Sequence, residues 1–223
     1  MRLPRVLEPE VMDDPEEARD YDAMDHAGVN GRFCEELLAL APAEALHAVL
    51  DVGTGTARIP IELCRRAPGA RVVGVDLADS MLAIGAANVE KAALVDAISL
   101  RRADAKQLPF PDATFGCVVS NTILHHIPDP LPAVREMIRV LAPGGWLFVR
   151  DLVRPDDDAA VAALVALYAA NDTARQRALF DASLRAALSL DEARALAERA
   201  GAPADAVGMT SDRHWTLAHR KAS

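Results

Sequence analysis

Two short stretches carry side chains able to do chemistry. The first is Asp51-Val52-Gly53-Thr54-Gly55. Glycines at 53 and 55 let the backbone turn sharply, and a ligand can lie against a backbone that has no Cβ. Asp51, just before the first glycine, would repel a pyrophosphate and attract an ammonium or sulfonium. A second carboxylate, Asp76, follows 21 residues after Gly55. An acid at about that distance, at the end of the neighbouring strand, can accept hydrogen bonds from both hydroxyls of a ribose. The second stretch is Asn121-Thr122-Ile123-Leu124-His125-His126. A histidine near neutral pKa can take a proton from a hydroxyl or an amine. Neighbours in a non-helical segment point apart, so one of His125 and His126 at most faces a substrate.

The surrounding patterns explain how these residues are positioned. Ala48–Val52 reads as a short buried strand, and Ile59, Leu63 and Ala67 recur at helical spacing after the glycine turn. Strand, glycine turn and helix form the nucleotide-binding layout of an open parallel sheet, with the helix N-terminus aimed at the ligand. A dinucleotide fingerprint asks for a third glycine where Arg58 stands, and no Gly-Lys-Ser/Thr follows, so NAD is a weak match and a phosphate loop none. Arg71–Asp76 reads as the second strand, with Asp79 as N-cap of a helix to Glu90. Ala97–Arg101 is the third strand, and Phe115–Ser120 the fourth, ending at Asn121. Strand ends line the crevice of such sheets, which brings Asn121 toward the ligand. A helix from Asp129 to Leu141 follows, with Val134, Met137, Ile138 and Leu141 as its buried stripe. A tight turn at Ala142–Gly145 then leads into strand five, Trp146–Asp151.

In order and spacing, Val49–Ile59, Val73–Asp76, Arg102–Ala105, Phe115–His126 and Leu141–Trp146 resemble the successive motifs of class I S-adenosylmethionine (SAM)-dependent methyltransferases. The ubiquinone/menaquinone-type branch is the most similar. The resemblance covers about residues 45–153; the loop has threonine where many members carry a third glycine. It implies SAM as cofactor and S-adenosylhomocysteine as product. Asp51, Gly53, Thr54, Gly55 and Asn121 would hold the amino-acid end, and Asp76 and Leu77 the ribose. Met81, Asp104 and Ala105 would meet the adenine, whose amine suits a carboxylate acceptor. Tyr21 would cover the methionine part. His125 or His126 would serve as base for an oxygen or carbon acceptor.

Residues 1–30 are acidic and polar, and composition makes them a mobile segment, though one carrying Tyr21, Met24 and His26. Residues 154–187 depart from the family pattern as two alanine-rich helices. The resemblance makes 1–40 and 154–187 a substrate cover. Tyr168, Arg150, His214 and Trp215 are candidate acceptor contacts, though an exposed ion pair of Arg150 with Asp151 is the simpler account of that strand end. Ser189–Glu192 is a capping-box pattern, with Gly201 stopping its helix. Strands near Val207–Met209 and Arg213–His219 complete the sheet.

The net charge of −9 argues against a duplex nucleic-acid partner. No run of 18 apolar residues exists, and no apolar stretch follows the first residues, so neither a membrane span nor a leader is expected. Cys34, Cys64 and Cys117 are scattered and read as buried thiols of a cytoplasmic protein. No cluster of carboxylates calls for a metal, and none is expected. The expected fold is thus one α/β domain over 1–223. It holds a Rossmann-like, doubly wound, seven-stranded, mostly parallel sheet with an antiparallel last strand. The expected activity is methyl transfer from SAM to a small molecule, by a monomer or homodimer. An NAD-dependent oxidoreductase and a non-catalytic SAM-binding protein are the alternatives.

Overall fold

The computed structural model describes residues 3–11, 13–24 and 27–222; His26 lies outside them. Its centre is β1 (Val49–Val52), four residues all buried. A strand covered on both faces has no polar side to alternate, which is why this one reads as a near-continuous apolar run. β2 (Val72–Asp76) and β4 (Phe115–Asn121) pair with β1 in parallel, and β3 (Ile98–Arg102) pairs with β2. β5 is Leu141–Leu152, β6 Val207–Met209 and β7 His214–Arg220. The sheet order is β3-β2-β1-β4-β5-β7-β6, with β6 and β7 antiparallel. This is the expected seven-stranded arrangement.

The chain divides into two compact units. The larger comprises Val11–Asn121, Pro132–Phe148 and Ala218–Ser223. It holds α1 (Pro15–Asp22), α2 (Ala27–Leu40), α3 (Arg58–Arg66), α4 (Asp79–Lys91) and nearly all of α5 (Leu131–Val140). Its core gathers Phe33, Leu37, Val49, Leu63, Val72, Ile98, Cys117 and Phe148, together with Cys34 and Cys64. The Phe33 and Phe148 rings meet edge to face, centroids 5.0 Å apart, a geometry worth about 0.5–1.5 kcal/mol for the pair beyond the area it buries. All three thiols are free and buried, as expected.

The smaller unit comprises Met1–Glu10, Thr122–Leu131 and Val149–Leu217. It holds α6 (Asp158–Tyr168), α7 (Ala174–Ala186) and α8 (Leu190–Ala200). Leu152, Val161, Leu184 and Ala187 are its core, with Leu3 and Phe180 packed on them. The Ser189 hydroxyl accepts the Glu192 amide while Glu192 reaches back to the Ser189 N–H, so the capping box is formed. Thr173 and Gln176 make a second one on α7.

Four expectations change. Asp79 does not cap α4; the cap residue is Ala78, whose N–H is taken by the Asp76 carboxylate at 3.0 Å, leaving Asp79 exposed in the first turn. Ala142–Gly145 is not a free turn before strand five. β5 begins at Leu141, because Gly144 N–H donates to the Lys221 carbonyl and Lys221 N–H to that of Gly145. The described part of the acidic N-terminal segment is not a loose tail: Leu3 and Val6 donate their amides to the Asp156 and Arg185 carbonyls, and α1 is capped by Asp14. Finally, Arg150 and Asp151 are not an exposed strand end, since both are almost fully buried.

Candidate active site

In the larger unit, the chain leaves β1 through three left-handed residues: Gly53 (φ 76°), Gly55 (φ 52°) and Ala57 (φ 62°). Val75 O, on β2, accepts the amides of both Gly53 and Thr54, which ties the turn to the neighbouring strand. The two strands can close on each other here because position 74 has no side chain. A Cβ on Gly74 would lie 2.6 Å from Thr54 Oγ1. Ala57 stands where a glycine would be unstrained, at a backbone cost of about 1 kcal/mol.

Asp76 closes the loop from the far side. Its Oδ2 accepts Gly55 N–H at 2.8 Å and its Oδ1 accepts Ala78 N–H. Burial raises its pKa above the ordinary value, outweighing these amides, which pull the other way. Asp51 is 2 % exposed. Burial lifts its pKa to about 7, the nearby Thr54 hydroxyl opposes that rise, and the Asp76 charge adds to it. Two acids thus share the glycine loop, and among the described residues no cation pairs with either. Tyr21 packs with Ala18, Ala78, Met81 and Ile84, and burial together with the charges of Asp76, Asp22 and Asp51 raises its phenol pKa. Leu77 gives its carbonyl to Arg102 Nε. Asp104 Oδ1 accepts the Lys106 amide, with Lys106 Nζ at 3.2 Å, and Ala105 stands next to it. Asn121 ends β4, half buried. The structure therefore brings Asp51, Gly53, Thr54, Gly55 and Asp76 into one loop, and Tyr21, Leu77 and Met81 around the turn into α4.

The smaller unit holds the histidines. Thr122, a β-branched residue at φ 56°, redirects the chain. Asp151 then organises the histidine segment: its Oδ1 is 2.6 Å from His125 Nδ1, and its Oδ2 accepts the amides of Leu124 at 2.6 Å and His125 at 3.2 Å. Burial opposes ionisation of Asp151, but His125 and the N–H donors prevail and hold its pKa low. For His125, burial is outweighed by Asp151 and Glu8, and the pKa rises. His126 goes the other way, pushed down to about 3 by burial and by its neighbour. Glu8 Oε1 stands 3.4 Å from His125 Nε2 and 3.1 Å from His126 Nδ1, so both rings turn toward one carboxylate. Arg5 pins the segment from behind, donating to the carbonyls of Leu124, His125, Ile127, Pro128 and Ala186.

The candidate acceptor contacts are less available. Arg150 Nε donates to Thr216 Oγ1. His214 is buried, with Nδ1 on Ser211 Oγ, and burial pushes its pKa to about 4. Trp215 is 1 % exposed. Tyr168 is exposed, bonded to Asp212 with the Arg213 guanidinium over its ring. Sequence reasoning missed Glu8 and Arg5, which compositional bias hid in an acidic stretch, and read Asp151 as a surface charge. Its position at the end of an apolar strand was the available signal.

Residues 50–149 match the family described as a methyltransferase domain. A demethylmenaquinone methyltransferase of Thermus thermophilus is 39% identical over 128 residues, covering 57% of this chain and 57% of that protein. The ubiquinone/menaquinone biosynthesis C-methyltransferase UbiE of Pasteurella multocida is 37% identical over 110 residues, 49% of this chain and 41% of that one. The matches thus span about half the length of these relatives. Among solved structures, a SAM-dependent methyltransferase from Aquifex aeolicus superposes with a TM-score of 0.65 at 19% identity, covering 92% of this chain and 97% of that one. The matched stretch contains all of β1 but Val49, the glycine loop, Asp76 and the paired histidines, and the sheet order is that of the fold the motifs imply. Over residues 50–149 the chain is thus similar to the methyltransferase-domain family, and its fold is that of SAM-dependent methyltransferases of solved structure.

Proposed function

We propose that the protein transfers a methyl group from SAM to a small-molecule acceptor. The observation that carries this reading is the pair of acids at the glycine loop, buried Asp51 and part-buried Asp76. A dinucleotide would bring phosphate charge to a loop that already holds unneutralised carboxylate. A sulfonium and an ammonium are the charges such a loop can take. Asp76 would hold the ribose hydroxyls, Asp51 and the Gly53–Gly55 backbone the amino-acid end, and Tyr21, Leu77 and Met81 the flank. Asp104 and Ala105 would meet the adenine, and Asn121 the methionine part.

SAM supplies a methyl on a sulfonium, with a neutral thioether as leaving group. The protein's work is then alignment and exclusion of water. For an oxygen or carbon acceptor a proton must also leave. His125 is the residue to receive it, since Asp151, 2.6 Å from its Nδ1, stabilises the imidazolium that forms; His126 stands beside it. Residues 45–153 hold the cofactor, and 1–40 with 154–187 select the acceptor; Tyr168, Arg150, His214 and Trp215 are the side chains to vary there. The protein works in the cytoplasm, as a monomer or homodimer, without nucleic acid. The named relatives make demethylmenaquinone the first acceptor to try.

The test is single-turnover methyl transfer from isotopically labelled SAM to a panel of quinol, phenol and amine acceptors. The expected result is a labelled product with at least one acceptor, lost with Asp76→Ala. SAM binding without transfer to any acceptor would leave a SAM-binding protein without catalysis.

A further inference from the structure

We infer that Glu8, His125 and His126 form a three-ligand site for a divalent transition-metal ion of the zinc–cobalt class. Their ligand atoms all lie within 4.8 Å of one another. The site goes beyond methyl transfer and does not depend on it.

Donor geometry is the first argument. Two ligands about 2.0–2.1 Å from one ion at the tetrahedral angle stand about 3.3–3.4 Å apart, and at a right angle about 2.9–3.0 Å. Glu8 Oε1 is 3.4 Å from His125 Nε2 and 3.1 Å from His126 Nδ1. Both separations fall in the range that sharing an ion produces.

The second is the arrangement of lone pairs. Asp151 Oδ1, 2.6 Å from His125 Nδ1, accepts a hydrogen bond from that nitrogen. Nε2 therefore presents to Glu8 either a second proton or a bare lone pair. A lone pair facing a carboxylate oxygen needs a cation between them. The two imidazole rings lie 4.1 Å apart between centroids, tilted by 35°; an ion shared by both suits that closeness, whereas a charge on each ring does not.

The third is the outer shell. A metal-bound histidine is commonly oriented by a carboxylate on its other nitrogen. Asp151 does this for His125, and Ser183 Oγ stands 3.2 Å from Glu8 Oε1. The neighbouring cation, Arg5, is turned onto main-chain carbonyls rather than toward the three ligands. Two imidazoles and one carboxylate suit zinc, cobalt, nickel or iron rather than magnesium or calcium. With an ion present Nε2 is engaged, so His125 acts as a base only in the metal-free protein.

The full-length protein, freed of metal with a chelator and shown by calorimetry to bind SAM, should be titrated with cobalt(II) and watched in the visible range and by thermal unfolding. The expected result is one equivalent bound at micromolar or tighter dissociation constant, with d–d bands of a four- or five-coordinate ion and a raised Tm. Glu8→Gln and His126→Gln should each weaken binding at least about tenfold, and Asp151→Asn about 10–100-fold. Circular dichroism of each variant separates lost ligand from lost fold. Absence of saturable uptake, or equal affinity in Glu8→Gln and His126→Gln, would overturn the site while leaving the SAM result standing.

Discussion

Asp151 Oδ1 lies 2.6 Å from His125 Nδ1 across 26 residues of sequence, and both side chains are buried. The same carboxylate accepts the main-chain amides of Leu124, His125 and Leu152. One acid therefore shapes the loop that carries the histidines and holds the His125 ring by its Nδ1. Asp151→Asn keeps the shape but turns an amide NH₂ on groups that already donate. Leaving a buried donor without its acceptor this way costs about 1–3 kcal/mol. Urea unfolding should show a loss of that order; a change under about 1 kcal/mol would mean that Asp151 organises little.

Arg5 is the outer anchor of the same loop. Its guanidinium serves five carbonyls at once, which a lysine ammonium with three donors cannot copy. In Arg5→Lys and Arg5→Ala, amide exchange of Leu3 and Val6 should speed up more than tenfold, most in the alanine variant. Unchanged protection would place the hold on residues 3–10 elsewhere.

Gly74 sets the distance between β2 and the glycine loop. An added Cβ would meet Thr54 Oγ1 at 2.6 Å and Leu100 Cδ2 at 2.7 Å. Thr54 cannot give way without moving the loop, so Gly74→Ala should cost about 1–3 kcal/mol and weaken SAM binding together with stability. A variant of wild-type stability would show that the loop has room the structure does not show.

Asp51 makes the loop sensitive to pH. Its pKa in the fold, about 7, lies above the ordinary carboxylate value. Such a group favours the fold at acid pH, and its contribution is lost as pH rises through about 7. A cationic ligand reverses that balance, since it interacts best with the ionised acid. The Tm increase given by SAM should therefore grow between about pH 6 and about pH 8, and the growth should vanish in Asp51→Asn. A SAM shift independent of pH in the wild type would contradict the placement of Asp51 beside a positive group.

Much of this molecule was legible in the residue pattern. Buried parallel strands read as apolar runs, and Gly53, Gly55 and Asp76 declare themselves by spacing, because a turn and a strand end are local. Ser189 and Thr173 cap their helices by rules that span three residues. What stayed hidden depends on distant partners. Glu8 meets His125 over more than 100 residues, and nothing local distinguishes it from the acids around it. Asp79 lost its capping role because the cap position fell on Ala78, one residue earlier, which propensity alone cannot foresee. Leu141–Gly145 joined β5 because the backbone of Lys221 pairs with it.

The decisive measurement is calorimetric titration with SAM, S-adenosylhomocysteine and NAD, on the wild type and on Asp76→Ala. Micromolar binding of both adenosyl ligands is expected, weakened at least about tenfold by the substitution, with no binding of NAD. Binding of NAD alone, or SAM affinity untouched in Asp76→Ala, would contradict the assignment of the glycine loop to SAM.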